Sequence, residues 1–499
     1  MNNFINGLRD SANRYTTENM APAYSTTGTK VYDLFALGGA YRNRTDNDCI
    51  SLFNAALEED ETYAMKCLFY LYDVREGQGE RRFFKTCIHW LANTHSEVAR
   101  RNMKFIPELG RWDMLYTFDG TKLEKDAYQM LKEQLAADLM TDKPSLMGKW
   151  LASENASSKE SHYLGMKTRK YFGMTPRQYR KTLTYLRKKI NVLERLMSAN
   201  EWEKIEFDAI PSNAGFKYRK AFMRHDIERK ESGARTYADF ISDDTTKVNA
   251  KVLYPYECVA RARNACYRPA EDIERKSINK YWDNLKDYFN GASFNGMVMA
   301  DTSGSMTWSN FSSAKPIDVA LSLALYCADK NSGPFANMFI TFESDPHFME
   351  VSGFDFCDKV KKAGNAPWGG STNISRAFNL ILNTAIENHC KQEDLPDTLL
   401  IVSDMEFDTC TEACMWYKSG YKSLMETIVE RFARAGYKCP KLVFWNINAR
   451  NDNIPMKNKD GISFISGFSP SLFEQIMSGK TAIDLMYETL NKERYACIK

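Results

Sequence analysis

Long apolar runs are missing from this chain. No stretch approaches the ~20 consecutive apolar residues that a membrane-spanning helix requires, so no membrane span is expected. The opening residues, Met1-Asn2-Asn3-Phe4, lack the basic-then-apolar order of an export signal, and the protein is expected to remain cytoplasmic. Net charge is also scarce. The formal value of +3 is too small for a general polyanion binder, so any basic surface must be local. Twelve cysteines occur without a single CxxC pair. The closest two, Cys410 and Cys414, stand at helical spacing with no histidine beside them, which reads as reduced thiols in a cytosolic protein. Six histidines form no ligand spacing. There is no nucleophile elbow, no HExxH, no phosphate loop and no cysteine–histidine signature, so the protein is expected not to be an enzyme. Arg75-Glu76-Gly77-Gln78-Gly79 lacks the Gly-Lys-Ser/Thr of a phosphate loop and follows a helical stripe, so it reads as a helix-to-helix turn.

What is present is an ordinary globular composition, 43% apolar and 26% charged, over 499 residues, enough for two or three domains. Residues 1–48 are polar and poorly periodic and read as an extended polar arm. Residues 49–290 have helical period. Ala64, Leu68, Leu71 and Tyr72 share a face, as do Phe83, Phe84, Cys87, Ile88 and Leu91. Tyr128, Leu131, Leu135 and Leu139 form another stripe, and Leu183, Leu186, Ile190, Leu193 and Met197 a further one. Successive amphipathic helices with short breaks predict an α-helical, HEAT-like repeat domain, without a clean period. Residues 291–499 alternate strand-like runs (297–300, 338–342, 399–402, 442–445 and 462–465) with helical ones (317–328, 374–385 and 424–435). That grammar predicts an α/β doubly wound, Rossmann-like domain. The boundary is expected between residues 269 and 292.

The most informative segment is Gly296-Met-Val-Met-Ala-Asp-Thr-Ser-Gly-Ser305. An apolar run ends in Asp301, followed by Ser303 and Ser305, with Gly304 available for a turn. One carboxylate and two hydroxyls in a loop are an oxygen site for a hard divalent cation. Gly369-Gly370-Ser371-Thr372-Asn373 offers Thr372 before a helical stretch. Thr398–Asp404 is a second apolar run ending in a carboxylate, Asp404. Loops at the carboxyl ends of parallel strands meet where α/β folds place their ligands. Glu406 and Asp408 read either as acids tuning that cation or as solvated loop charges.

This set resembles the metal-ion-dependent adhesion site of von Willebrand factor A domains. The resemblance implies that Asp301, Ser303, Ser305, Thr372 and Asp404 surround one Mg²⁺ or Mn²⁺. It implies hydroxyls bound directly, carboxylates often through water, and a last position left for the carboxylate of an acidic protein partner.

The basic charge is concentrated in residues 159–195, with eleven Lys and Arg against Glu160 and Glu194. Tyr163, Tyr171, Phe172, Tyr179 and Tyr185 are interleaved. Cations neutralise phosphates and aromatic faces stack on unpaired bases, so this segment and the cluster Lys217–Lys230 point to structured or single-stranded RNA. A solvated helix face is the plainer account of such a run. Arg169, Arg180, Lys181, Lys188 and Arg219 are the expected RNA contacts. Helical repeats followed by an A-type domain are similar to the layout of TROVE-domain Ro ribonucleoproteins. Residues 75–82, 110–113, 149–155, 174–180 and 444–446 look like those of the DUF2828 family, a resemblance that brings architecture without an activity. The expectation is therefore an RNA-binding, ribonucleoprotein-type protein that docks an acidic partner through Mg²⁺. A protein-only assembly factor is the first alternative. A metal-dependent nuclease is the second, and would need Glu343, Asp345 or Glu406 as a further carboxylate.

Overall fold

In the computed structural model, residues 3–499 are described except for 310–311, 313, 343, 353–354, 366–369, 371, 409–422, 457–461 and 478–481. Glu343, Gly369, Ser371, Cys410 and Cys414 lie outside the described residues. The chain forms two units, one of residues 1–67 with 250–492, the other of 68–249 with 493–499.

The amino-terminal segment, expected as an extended arm, carries regular structure in the first unit. Helix Asn3–Ala12 leads into β1 (Arg14–Thr16) and β2 (Pro22–Tyr24), an antiparallel pair, and then helix Lys30–Leu37, buried at every position from Val31 to Leu37. The composition is polar on average, yet this one helix is almost wholly apolar, and burial follows the local run.

The main sheet has six strands: β3 (Gly296–Asp301), β4 (Met338–Phe342), β5 (His347–Glu350), β6 (Thr398–Ser403), β7 (Lys441–Asn446) and β8 (Ile462–Ser466). Their order is β5-β4-β3-β6-β7-β8, all parallel except β5, which pairs antiparallel with β4. All five expected strands are present. The sixth, β5, has only four residues and partial exposure, so no apolar run announced it. Strands β3 and β6 are buried on both faces, as parallel strands covered by helices must be. Helix Pro316–Lys330 is apolar on nearly all sides because it lies between β3 and helix Pro255–Ala265. That second helix precedes the expected boundary, and Ile273–Asp283 falls within it, yet both belong to this unit. Trp282 stacks on Phe356 with centroids 3.9 Å apart, and its indole N–H donates to Asp329 at 3.0 Å.

The exposed edge of β8 is covered from the amino-terminal segment. The Tyr32 hydroxyl accepts from the Phe464 amide at 3.1 Å and donates to its carbonyl at 3.4 Å. Gly39 donates to Ser466 Oγ at 3.0 Å, and a Cβ at Gly39 would stand 2.7 Å from the Ser466 carbonyl oxygen, so no side chain fits there. These contacts satisfy an edge that would otherwise invite pairing with another chain.

The second unit is helical. Its longer helices are Arg81–Thr94, Glu124–Met140, Lys159–Phe172, Pro176–Lys189 and Ser212–Arg224. The stripe expected over 183–197 is broken: Asn191 takes φ 47°, and a new helix starts at Leu193. Leu139 departs from its stripe and is exposed. Asp73, fully buried, holds the last residues of the chain, accepting from Arg494 Nη2 at 2.8 Å and Tyr495 Oη at 3.0 Å.

In the first unit, buried Arg275 donates to Asp355 at 2.8 Å and pairs with Asp358 at 2.8 Å. Burial pushes the Asp355 carboxyl up, but the Arg275 guanidinium outweighs it and holds the group below the usual carboxylate range. A carboxyl lowered on folding contributes in full above its unfolded value and loses that contribution as pH falls through the folded one. Asp355→Asn should therefore lower stability at pH 6 by about 1 kcal/mol, given screening at this part-exposed site. Urea midpoints measured from pH 6 to pH 2 should converge on the wild type at the acid end.

Candidate functional site

Strands β3 and β6 lie side by side in parallel register, from Gly296 opposite Thr398 to Ala300 opposite Val402. The chain leaves β3 toward β4 on one side, while β6 is followed by β7 on the other. The crevice at their carboxyl ends is the switch point of the sheet. Asp301 ends β3 and Asp404 follows β6, and both are buried to within 1%.

Each acid is fixed locally. Asp301 Oδ1 accepts from the Ser303 amide at 2.9 Å, and Oδ2 from the Ser403 hydroxyl at 2.5 Å. The hydroxyls of Ser303 and Ser305 are 3.1 Å apart. Asp404 Oδ1 accepts from the Glu406 amide at 3.1 Å. Among the described residues Asp404 Oδ2 is buried without a hydrogen-bond partner, with the Arg450 guanidinium 3.6 Å away. Between the two acids, Met405 adopts φ 65°, a left-handed conformation rare for a residue with a Cβ and held here by the surrounding loop. Thr372 is buried, and its carbonyl accepts from the Asp408 amide at 3.0 Å, drawing the Gly370–Asn373 segment to the loop after β6. Gly304 is not sterically required: its φ is not positive and a Cβ would meet nothing within 4 Å.

Burial raises the Asp301 carboxyl, opposed by the hydroxyls of Ser303 and Ser403. Burial and then the charge of Asp301 raise Asp404 further. Two like charges removed from water at one strand junction are costly unless something positive joins them. The donors present are carboxylate and hydroxyl oxygens, the set that suits Mg²⁺ or Mn²⁺, and the unsatisfied Asp404 Oδ2 leaves an oxygen to offer. Among the described residues no three His, Cys, Asp or Glu side chains gather as a ligand group, so any such cation would depend on the serine and threonine hydroxyls.

Ser305 is the half-exposed member of the set. It opens onto a pocket of about 410 Å³ whose walls include Asn43, Arg44, Trp308, Asn448 and Arg450. Trp308 is 77% exposed, unusual for an indole away from a contact surface. Sequence reasoning passed over Arg44, Trp308 and Arg450 because they come from three distant segments without a shared motif. Ser403 was visible only as the residue before Asp404.

Glu406 is not a solvated loop charge. It is fully buried and accepts from Asn453 at 2.7 Å, Asn451 at 3.0 Å and the Glu18 amide at 2.7 Å, while its carbonyl accepts from Asn19 at 2.7 Å. Burial pushes its carboxyl up to about 7, against the pull of the two asparagines. Thr17 donates to the Phe407 carbonyl at 2.7 Å, and Met20 bridges Asp408. The amino-terminal segment is thereby strapped to the loop that carries Asp404.

The expected RNA contacts divide in the helical unit. Arg180, Lys181 and Lys188 are exposed on helix Pro176–Lys189. Arg169 instead pairs with Glu154 and donates to the Met174 carbonyl at 3.0 Å. Arg219 is buried, donates to the Phe216 carbonyl at 3.0 Å and lies over the Phe216 ring. Both are absorbed by packing, a correction to the sequence reading, since a count of charge does not reveal where the stems lead. Of the interleaved aromatics, Tyr163 and Tyr185 are exposed. Tyr171 stacks on Tyr128 at 4.2 Å, and Tyr179 and Phe172 are buried.

Comparison with known proteins places these features in a family. A model described as a domain of unknown function, DUF2828, matches residues 17–110 and 122–290, and another, DUF7788, matches residues 295–496. The Uncharacterized protein L728 of Acanthamoeba polyphaga mimivirus is 32% identical over 511 residues, covering 94% of this chain and 85% of that protein. Among solved structures, the RO (RSR) protein of Deinococcus radiodurans aligns over 93% of both chains, at 14% identity and a TM-score of 0.34. Similarity at that score carries no argument about activity.

Glu406→Ala should remove the anchor of the strap, at a cost of about 2–3 kcal/mol for charged hydrogen bonds lost in a buried place. Limited proteolysis should then cut within residues 14–24 in the variant while sparing the wild type.

Proposed function

The chain belongs to the DUF2828 family, whose function is unknown, and we propose that it is a non-enzymatic binding protein with two working surfaces. The α/β unit docks a carboxylate-bearing protein partner through a divalent cation, and the helical unit binds RNA. The observation that carries the first half is the unsatisfied, buried Asp404 Oδ2 beside a second buried carboxylate, Asp301. Asp301, Ser303, Ser305, Thr372 and Asp404 would hold Mg²⁺ or Mn²⁺. The cation would supply Lewis acidity to a partner's oxygen entering past Ser305.

The protein's own residues do the rest. Arg44, paired with Asp48 and Asp452, and Arg450, paired with Glu18, line the adjoining pocket, and Trp308 offers an exposed apolar face. Binding rather than hydrolysis is supported by the state of Glu406, whose carboxylate is taken up by Asn451, Asn453 and the Glu18 amide. Asp345 is exposed. A general base beside the cation would have to come from such a group. The RNA half rests on Arg180, Lys181 and Lys188, exposed on one helix with Tyr185 beside them. A protein-only docking factor is distinguished from this reading by the helical unit alone.

Isothermal titration with MnCl₂ or MgCl₂ should show one saturable site in the wild type and none in Asp301→Ala, with far-UV dichroism unchanged. Undiminished affinity in the variant would sink the site assignment. Replacing Arg180, Lys181 and Lys188 together by Gln should weaken RNA retention and reduce the slope of log K against log salt by about three, roughly one per lost phosphate contact. An unchanged slope would remove RNA from that helix.

A further inference from the structure

The helical unit contains a second cavity, of about 480 Å³, that neither working surface uses. That size falls within the ~300–1,000 Å³ of small-molecule pockets. Its walls come from four separate stretches of chain: Arg81, Arg82 and Lys85 from the first turns of helix Arg81–Thr94, Arg111 from the segment after Gly110, Trp150 from helix Met147–Trp150, and Glu160, Ser161 and Leu164 from helix Lys159–Phe172.

The charge in it is unbalanced. Arg81 and Lys85 stand four apart on one face of their helix and are exposed, with no side-chain hydrogen bond or ion pair among the described residues. Glu160 is the acid on the opposite wall. Asp113 also lines the cavity, but it is engaged by the guanidinium of Arg111 through Nε, at 2.9 Å, and Nη2. Arg111 is held as well from its other side, its guanidinium 3.9 Å from the Trp150 ring centroid. This stacked, ion-paired guanidinium is a flat, rigid wall rather than a mobile charge. The helix's own first amides are occupied, since the Glu80 carboxylate accepts from Arg82 and Phe83 at 3.0 and 3.1 Å. An incoming anion would therefore be met by side chains. Met114 and Leu164 add apolar surface, and Ser161 a hydroxyl.

We infer that this cavity binds a nucleoside phosphate, the phosphate between Arg81 and Lys85 and the planar base against the Arg111–Trp150 wall. Arginine suits the trigonal face of a phosphate, and lysine adds a point charge without directional demand. The apolar and planar surfaces distinguish the site from one for inorganic phosphate alone. The ligand is either a free nucleotide or a phosphorylated nucleotide of an RNA strand. The second source rests on the RNA reading above.

The test uses the full chain and titrates UMP, AMP, their nucleosides and inorganic phosphate at low ionic strength. UMP or AMP should bind saturably, at least tenfold more tightly than the matching nucleoside and more tightly than inorganic phosphate. Arg81→Gln with Lys85→Gln should reduce nucleotide affinity at least tenfold, and both positions are exposed enough to leave folding intact. Nucleotide and nucleoside binding equally, or affinity indifferent to the double variant, would overturn the proposal. A 5′-phosphorylated oligoribonucleotide compared with its 5′-hydroxyl twin separates the sources. Preference for the phosphorylated strand, lost in the double variant, assigns the site to RNA. Nucleotide binding without any RNA binding leaves the pocket standing as a free-nucleotide site and removes the RNA reading. RNA binding without nucleotide binding removes the pocket and leaves the RNA reading.

Discussion

Two carboxylates buried at the junction of adjacent parallel strands set the terms for the α/β unit. Asp301 and Asp404 are placed there by the sheet, because each follows a fully buried strand at the point where the strand order reverses. Water is excluded and the like charges oppose each other, so their surroundings must supply positive partners. Part of that compensation is visible as fixed dipoles: the Ser303 and Glu406 amides and the Ser403 hydroxyl all point at the acids. The left-handed turn at Met405 allows the chain to reverse tightly enough to present both Asp404 and the Glu406 amide. Among the described residues these dipoles satisfy three carboxylate oxygens, and the fourth, Asp404 Oδ2, has the Arg450 guanidinium 3.6 Å away. That imbalance, rather than any single motif, is the physical basis for the cation proposed there.

The amino-terminal segment gives the same loop its rigidity. Glu406 accepts hydrogen bonds from a backbone amide of that segment and from two asparagines beyond β7. It thereby ties two remote pieces of chain to the turn carrying Asp404. A buried acid with a full complement of donors is stable where one with a single donor would not be. Farther along, Tyr32 and Gly39 close the β8 edge. The segment that looked least structured in composition thus supports both the site and the sheet.

Much of this was legible in the sequence, for identifiable reasons. Apolar runs of four to six residues ending in an acid or a serine located β3 and β6, because strands buried on both faces need unbroken apolar sequence. The Asp-x-Ser-x-Ser spacing marked the candidate site, where Asp301 and the hydroxyls of Ser303 and Ser305 lie together. Tertiary partners were not legible: Arg450 and Arg44 carry no local signal, and Glu406 reads the same whether solvated or buried. The amino-terminal segment was misread because averaging over its Ser, Thr and Asn hid the apolar helix Lys30–Leu37. The helical stripes predicted burial well at Phe83–Leu91 but ran on through Asn191, where a single left-handed residue ends the helix. Charge counts failed at Arg169 and Arg219, since a guanidinium can be consumed by a neighbouring carboxylate or carbonyl as readily as by a phosphate.

Neither unit is a continuous piece of chain, and this has a bearing on synthesis. The hydroxyl of Tyr32 meets Phe464, 432 residues later. At ribosomal speeds that is a delay of roughly 20–90 s. Throughout it, the apolar helix from Val31 to Leu37 has emerged without the strand it is built to cover. Residues 68–249 can collapse in the interval, but their fastening to Arg494 and Tyr495 through Asp73 waits until that distant segment has been made.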